Sequence, residues 1–336
     1  MRHLIAALAF AGALGAAKAD EQTIAAVVDD HIIPAFAELD AAADDLATEA
    51  RKDCAPTSEP LRVAYQSAYD AWLGAAHLQI GPLEEAEFAF ALSFWPDPRG
   101  KTAKALRRLI AAKDPIAGSG DYSKVSVAAR GFLALERMLY DDTITGDAGY
   151  KCTLLRAISD DIAATADKLH QGWLDTHAAS FKSAGAPGNE VFPATEDAIR
   201  KFYTALMTSL GFDAEARIGR PLGTVQKPRP RRAEARRSGR PLRNLRLSIA
   251  AQRAFAAALT PAGQDDTAPQ VDAAFRRVLD QIAEVDNPLL DGTASSTAWL
   301  KIDIIKQDIV AIQVTVDGTL GRDLGLFVGF NSRDGD

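Results

Sequence analysis

Apolar residues recur at three- and four-residue spacing over long windows of the chain, with Ala abundant and β-branched runs few. That period belongs to amphipathic helices rather than strands, whose side chains alternate at period two. The pattern predicts helices near 21–50, 59–92, 99–113, 123–141, 150–182, 194–216, 231–259, 268–285 and 296–316. Turn-forming clusters separate them: "CAPTSEP" (54–60), "PDPRG" (96–100), "AGSGDYS" (117–123), "TGDAG" (145–149) and "SAGAPGN" (183–189). Ser58 before Glu59 and Pro60, and Thr195 before Glu196 and Asp197, are N-cap signals. The Gly- and Asp-rich end of the chain predicts an irregular tail or hairpin. Helices of bundle length on short loops imply an all-α fold, and they exceed one four-helix bundle. Two four-helix-bundle-like domains packed side by side are therefore expected. By composition "SAGAPGN" is the better boundary and "GRPLGTVQKPRPRR" (219–232) the second, which gives domains 20–185 and 190–336.

One predicted helix breaks its own pattern. In "ARGFLALERMLY" (129–140), Glu136 shares a face with Phe132, Leu133 and Leu139, while Arg137 falls toward the wetter side with Ala134 and Asp141. An unpaired charge in an apolar sector is costly enough that the group must find a partner or a proton.

Composition and charge narrow the function classes. Apolar residues make up 47% of the 336, enough for a sizeable core. The net charge of −7 argues against nucleic acid as a partner. "MRHLIAALAFAGALGAAKA" (1–19) has a basic start, an apolar run and a small-x-small end, and predicts a signal peptide cleaved after Ala19. Its apolar run is shorter than the roughly 20 residues of a membrane span. No later stretch is long enough either, so the mature protein is expected to be periplasmic and not membrane-spanning. Cys54 and Cys152 fall in the exported part, where an even count favours one disulfide.

Several sites are excluded by their motifs. The chain has no HExxH, no GxSxG elbow and no phosphate-cradling P-loop. After the leader only His31, His77, His170 and His177 remain. His170 and His177 stand about 10 Å apart along a helix axis, too far to share one metal. The stretch 70–101 is richer: His77 sits in an apolar helix, Gly81-Pro82 interrupts it, and Trp95-Pro96-Asp97-Pro98-Arg99 forms a rigid aromatic turn.

The segments "WLGAAHLQIGPLEE", "FWPDPRG", "RGFLALERMLY", "AEARRSGRPLRNL" and "GFNSRDGD" together resemble the imelysin-like proteins, peptidase family M75, in the expected order. The resemblance implies an exported all-α protein of two helical-bundle domains, a functional cleft between them, and an association with bacterial iron uptake. It also implies a GxHxxE motif whose His and Glu, one turn apart, both point at a metal. Here the matching residues are Gly131, Leu133 and Glu136, so the His position carries a side chain with no donor atom. The site expected from these readings comprises Glu136, His77, Trp95, Asp97, Arg99 and Arg237, with Glu136 and His77 as the metal ligands and iron or zinc as the metal.

Arg is dense in "KPRPRRAEARRSGRPLRNLRL" (227–247), where only Glu234 opposes it. This is either a solvated helix and loop, or a segment whose Arg237 and Arg240 turn inward to pair with Glu136. The tail "NSRDGD" has alternating oxygen donors but ends before the acidic twelfth position of a calcium loop. Three functions follow: a binding or accessory protein in metal uptake that takes a metal ion or metal-containing small ligand, a metallopeptidase, or a non-catalytic module with an envelope protein partner. The peptidase needs three protein ligands, a metal-bound water and a base, and no predicted helix carries more than one of them.

Overall fold

The computed structural model describes residues 20–85, 88–292 and 295–326. The leader 1–19 and the tail "GFNSRDGD" lie outside the described residues. The fold is all-α. The long helices are α1 (Ile33–Lys52), α2 (Glu59–Ala75), α3 (Lys101–Ala112), α4 (Gly131–Tyr140), α5 (Ala148–Gly172), α6 (Thr195–Phe212), α7 (Pro241–Leu259), α8 (Thr267–Ala283) and α9 (Ser296–Val316). Wider π-helical turns extend four of them: Val27–Ile32 leads into α1, Trp173–His177 continues α5, Asp213–Gly219 continues α6, and Asp317–Gly321 continues α9.

α1 packs against α2 and α5, and α4 against α5, while in the second half α6 and α8 flank α7 and α9 packs on α8 and α6. α7 also crosses onto α2, so the buried residues of both groups form one continuous apolar cluster from Ile24 to Leu326. The cluster is built from the predicted helix faces, for example Phe36, Leu39, Ala43 and Leu46 on α1. Cys54 and Cys152 are joined in a disulfide that ties the loop after α1 to the first turn of α5.

Three predicted helices differ from the observed ones, each for a local reason. The helix expected over 59–92 ends at Ala75, and two short helices, Pro82–Glu85 and Phe88–Leu92, follow. Gly81 adopts a left-handed φ of 57°, and a Cβ there would stand 2.7 Å from the Trp173 ring; Pro82 then lacks the N–H that would continue the ladder. The helix expected from 123 starts at Gly131, after short 3₁₀ turns at Tyr122–Lys124 and Val127–Ala129. The helix expected from 231 starts at Pro241. Residues 223–240 instead run as turns, with Pro228 and Pro230 breaking the chain and Ala235 and Gly239 left-handed on either side of a 3₁₀ turn, Arg236–Ser238.

Candidate functional site

The site is built where α4 meets the Arg236–Ser238 turn. α4 is pressed against the short helix Phe88–Leu92, and Gly131 permits that approach. Its φ is 71°, and a Cβ there would collide with the carbonyl oxygens of Ala91 and Leu92. The glycine of the motif is thus required by backbone packing. One turn further along, Leu133 and Glu136 face the same cavity, of about 210 Å³.

Glu136 is 1% exposed. Its Oε1 accepts hydrogen bonds from the Arg237 N–H at 2.9 Å, the Ser238 N–H at 3.0 Å and the Ser238 hydroxyl at 3.0 Å. The acid therefore anchors a turn 101 residues away in the chain. Successive N–H groups converging on one oxygen form an anion nest, here filled by the protein's own carboxylate. Burial pushes the Glu136 carboxyl above its ordinary value, and the Ser238 and Arg237 donors oppose that shift.

Arginine dominates the rest of the lining: Arg137, Arg220, Arg231, Arg232 and Arg237. Arg137 thus turns toward the cavity, not to the solvent side expected from periodicity. It and the Arg237 Nε share one carboxylate oxygen of Asp141, at 2.7 and 2.9 Å. Asp97 also lines the cavity, but its oxygens accept the Lys101 and Thr102 N–H groups at the start of α3, at 2.8 and 2.9 Å. Those bonds hold its carboxyl below the ordinary value although desolvation pulls it upward.

The structure brings together four of the six expected site residues, since Glu136, Trp95, Asp97 and Arg237 line this one cavity. Arg99 is exposed on the turn before α3 and does not line it. His77 lines a second cavity of about 220 Å³ that meets the first only at Trp95. Its Nε2 is 2.8 Å from His31 Nε2, and both rings pack on Phe255. Burial, then the neighbouring His31 and Arg217, hold His77 well below the usual imidazole value; burial lowers His31 to about 4. His77 thus lies apart from Glu136, and no group of three His, Cys, Asp or Glu side chains able to hold a metal occurs among the described residues.

The expected Arg partner for Glu136 is corrected in the same way. Arg237 reaches Glu136 through its backbone N–H, while its side chain goes to Asp141. Arg240 is turned inward and 1% exposed, but it bonds Asp70, Gln66 and Asn244 and lies over the Tyr69 ring at 4.5 Å. Beside it is a network that sequence reasoning missed. Arg217 bonds Asp213, Glu234 and Ser248, and Gln252 and Asn244 complete the carboxylates. The signal available was the Asp213–Arg217 spacing of one turn. Arg220, Arg231 and Arg232 had no comparable signal beyond the density of arginine in the chain.

The model of the Imelysin family (Peptidase M75) matches residues 32–310. None of the curated proteins matches the chain. Solved structures share the fold, two of them as follows. An imelysin-like protein from Psychrobacter arcticum 273-4 superposes with a TM-score of 0.75 at 20% identity, covering 94% of this chain and 98% of that one. A protein provisionally assigned as an iron-regulated protein A precursor from Parabacteroides distasonis ATCC 8503 gives 0.74 at 15% identity, covering 90% of this chain and 95% of that one.

Proposed function

The chain belongs to the imelysin family, and on that premise we propose that it is a periplasmic binding or accessory protein of metal acquisition, with the Glu136 cavity as its ligand site. The observation that carries this reading is the convergence on one cavity of Glu136 from α4, Trp95 and Asp97 from the turn before α3, and Arg237 from the distant turn. Iron as the metal is taken from the Parabacteroides protein, provisionally assigned as iron-regulated. The leader-like first 19 residues and the Cys54–Cys152 disulfide support an oxidising, exported location. Among the described residues no helix is long and apolar enough to cross a membrane.

Binding fits the donor set better than catalysis. A catalytic zinc site takes three protein ligands and an open position, and Leu133 occupies the place where the family motif has its histidine. A metal held by its own chelator needs fewer ligands from the protein.

Metal analysis of the purified mature protein, together with titration by ferric citrate, tests the reading. Stoichiometric binding that is lost in Glu136→Ala and weakened in Glu136→Gln supports it. Absence of binding in a folded wild-type protein overturns it. Leu133→His adds an imidazole one turn before Glu136 on the same wall, and it is expected to raise affinity for free Fe²⁺ or Zn²⁺.

A further inference from the structure

The charges around the Glu136 cavity do not balance. The five guanidiniums that line it share the lining with two carboxylates, Asp97 and Glu136, and two of the five, Arg137 and Arg237, bond Asp141 behind it. Each of these carboxylates is already committed: Asp97 to the first N–H groups of α3, Glu136 to the Arg236–Ser238 turn, and Asp141 to Arg137 and Arg237. Arg220, Arg231 and Arg232 pair with no carboxylate among the described residues, and the Nε of Arg220 is buried without a hydrogen-bond partner.

Such an arrangement costs free energy in the folded chain. Desolvation and the neighbouring Arg237 pull the Arg137 guanidinium below its ordinary value, and the same two causes act on Arg236. A chain with a net charge of −7 has carboxylates to spare, yet among the described residues none pairs with these three arginines. Positive charge left unpaired inside a concave wall focuses the field on whatever enters. The planar fork of Arg matches carboxylate and phosphate oxygens two at a time.

Resting on the reading of this cavity as the ligand site, we infer that its ligand is a small, multiply charged anion bearing carboxylate or phosphate groups, gripped by Arg220, Arg231 and Arg232. The anion is recognised by these arginines whether or not it carries a metal. In a metal-loaded ligand the anion supplies the donor atoms that Leu133 cannot. Arg231 and Arg232 are exposed at the rim, whereas Arg220 is half-buried within.

Isothermal titration of the full mature chain separates the possibilities, with citrate, inorganic phosphate, ferric citrate, Fe²⁺ alone and a neutral polyol as probes. Citrate or phosphate is expected to bind without metal, more weakly as salt is raised, and the polyol not at all. Arg231→Ala and Arg232→Ala, both at the exposed rim, should each weaken binding at least about tenfold, the scale of one charge-assisted hydrogen bond. Arg→Lys at these positions should recover part of the loss, because charge returns without the fork. Preference for phosphate over citrate identifies a phosphate ligand, and the reverse a polycarboxylate. Failure of both anions and of ferric citrate overturns the inference, as does binding that the two substitutions leave unchanged. If Fe²⁺ alone binds and the anions do not, the metal-binding reading survives and the anion inference falls. If free citrate binds as tightly as ferric citrate and Fe²⁺ alone does not bind, the anion inference survives and the metal reading falls.

Discussion

Two groups of arginines, separated by fewer than twenty residues of chain, are used in opposite ways. Arg217 is 7% exposed and paired: its Nε and Nη1 donate to Glu234, Asp213 and Ser248, and Gln252 and Asn244 donate to the same acids. Its guanidinium is pushed above its ordinary value; desolvation lowers it, but Glu234 and Asp213 outweigh that. Arg220, Arg231 and Arg232 are unsaturated and open to a cavity. A buried ion network whose charged groups all have hydrogen-bond partners holds elements together, here the π-helical turn after α6, the turn carrying Glu234 and α7. A cluster with surplus charge adds little to folding and is free to take a ligand.

The sharpest way to break this comparison is Arg217→Ala. Removing one partner leaves Asp213 and Glu234 buried and uncompensated, a loss of about 3–5 kcal/mol. Urea denaturation reads it directly, and a cost below about 1 kcal/mol would mean that the network is not structural.

Replacing both Cys54 and Cys152 with Ser sharpens the contrast from a remote position. The bond closes a separation of 98 residues, so its removal should cost about 2–4 kcal/mol. Ligand affinity at the cavity should not change, since neither cysteine nor any residue of α5 lines it. Calorimetric titration of the double variant would show whether stability and binding are separable.

Glu136 belongs to both groups, because it is buried like the first and faces the cavity of the second. Glu136→Ala deprives two backbone N–H groups and a hydroxyl of their acceptor and should cost about 2 kcal/mol. Glu136→Gln keeps an acceptor oxygen and removes the charge. The wild-type carboxyl is raised in the folded state from an ordinary 4.5. Its burial is therefore cost-free only below about that pH, and the penalty grows as pH rises from 4.5 through the raised value. Relative to wild type, Glu136→Gln should gain stability over that window. Parallel denaturation curves across it measure the sign, and the opposite slope would show that the Ser238 and Arg237 donors outweigh desolvation.

The smallest stability effect belongs to Arg231→Ala with Arg232→Ala. Both side chains are exposed and unpaired, so stability should change by no more than about 0.5 kcal/mol. A larger loss would place these arginines in the structural group.

Much of the fold was legible because its signals are local. Amphipathic periodicity placed α3, α6, α8 and α9 to within a few residues. It failed at 76–92, 123–130 and 231–240, where Gly81, Pro82 and Gly239 stand in otherwise helical patterns, and only packing decides whether the helix yields. The site was half legible. Glu136 stood out as an acid in an apolar sector, and Trp95, Asp97 and Arg237 came from the family resemblance. Arg220 and Arg232 looked like any solvated cation, and His77 looked like a ligand although its ring nitrogen meets His31.

What the sequence determined by itself was the all-α class, the apolar faces that form the core, and the need of Glu136 for a partner. Hydrophobic period and the cost of a buried charge act over one helical turn and need no knowledge of the rest of the chain. Only the tertiary structure decided what the partner is. The donors that hold Glu136 are backbone N–H groups and a serine hydroxyl 101 and 102 residues away. Every residue but proline carries a backbone N–H, so a turn that gathers several at one oxygen leaves no mark of its own in composition. The charge surplus around the cavity was hidden for a related reason: arginines are visible in a sequence, but whether each has an acid within reach is a property of the folded chain.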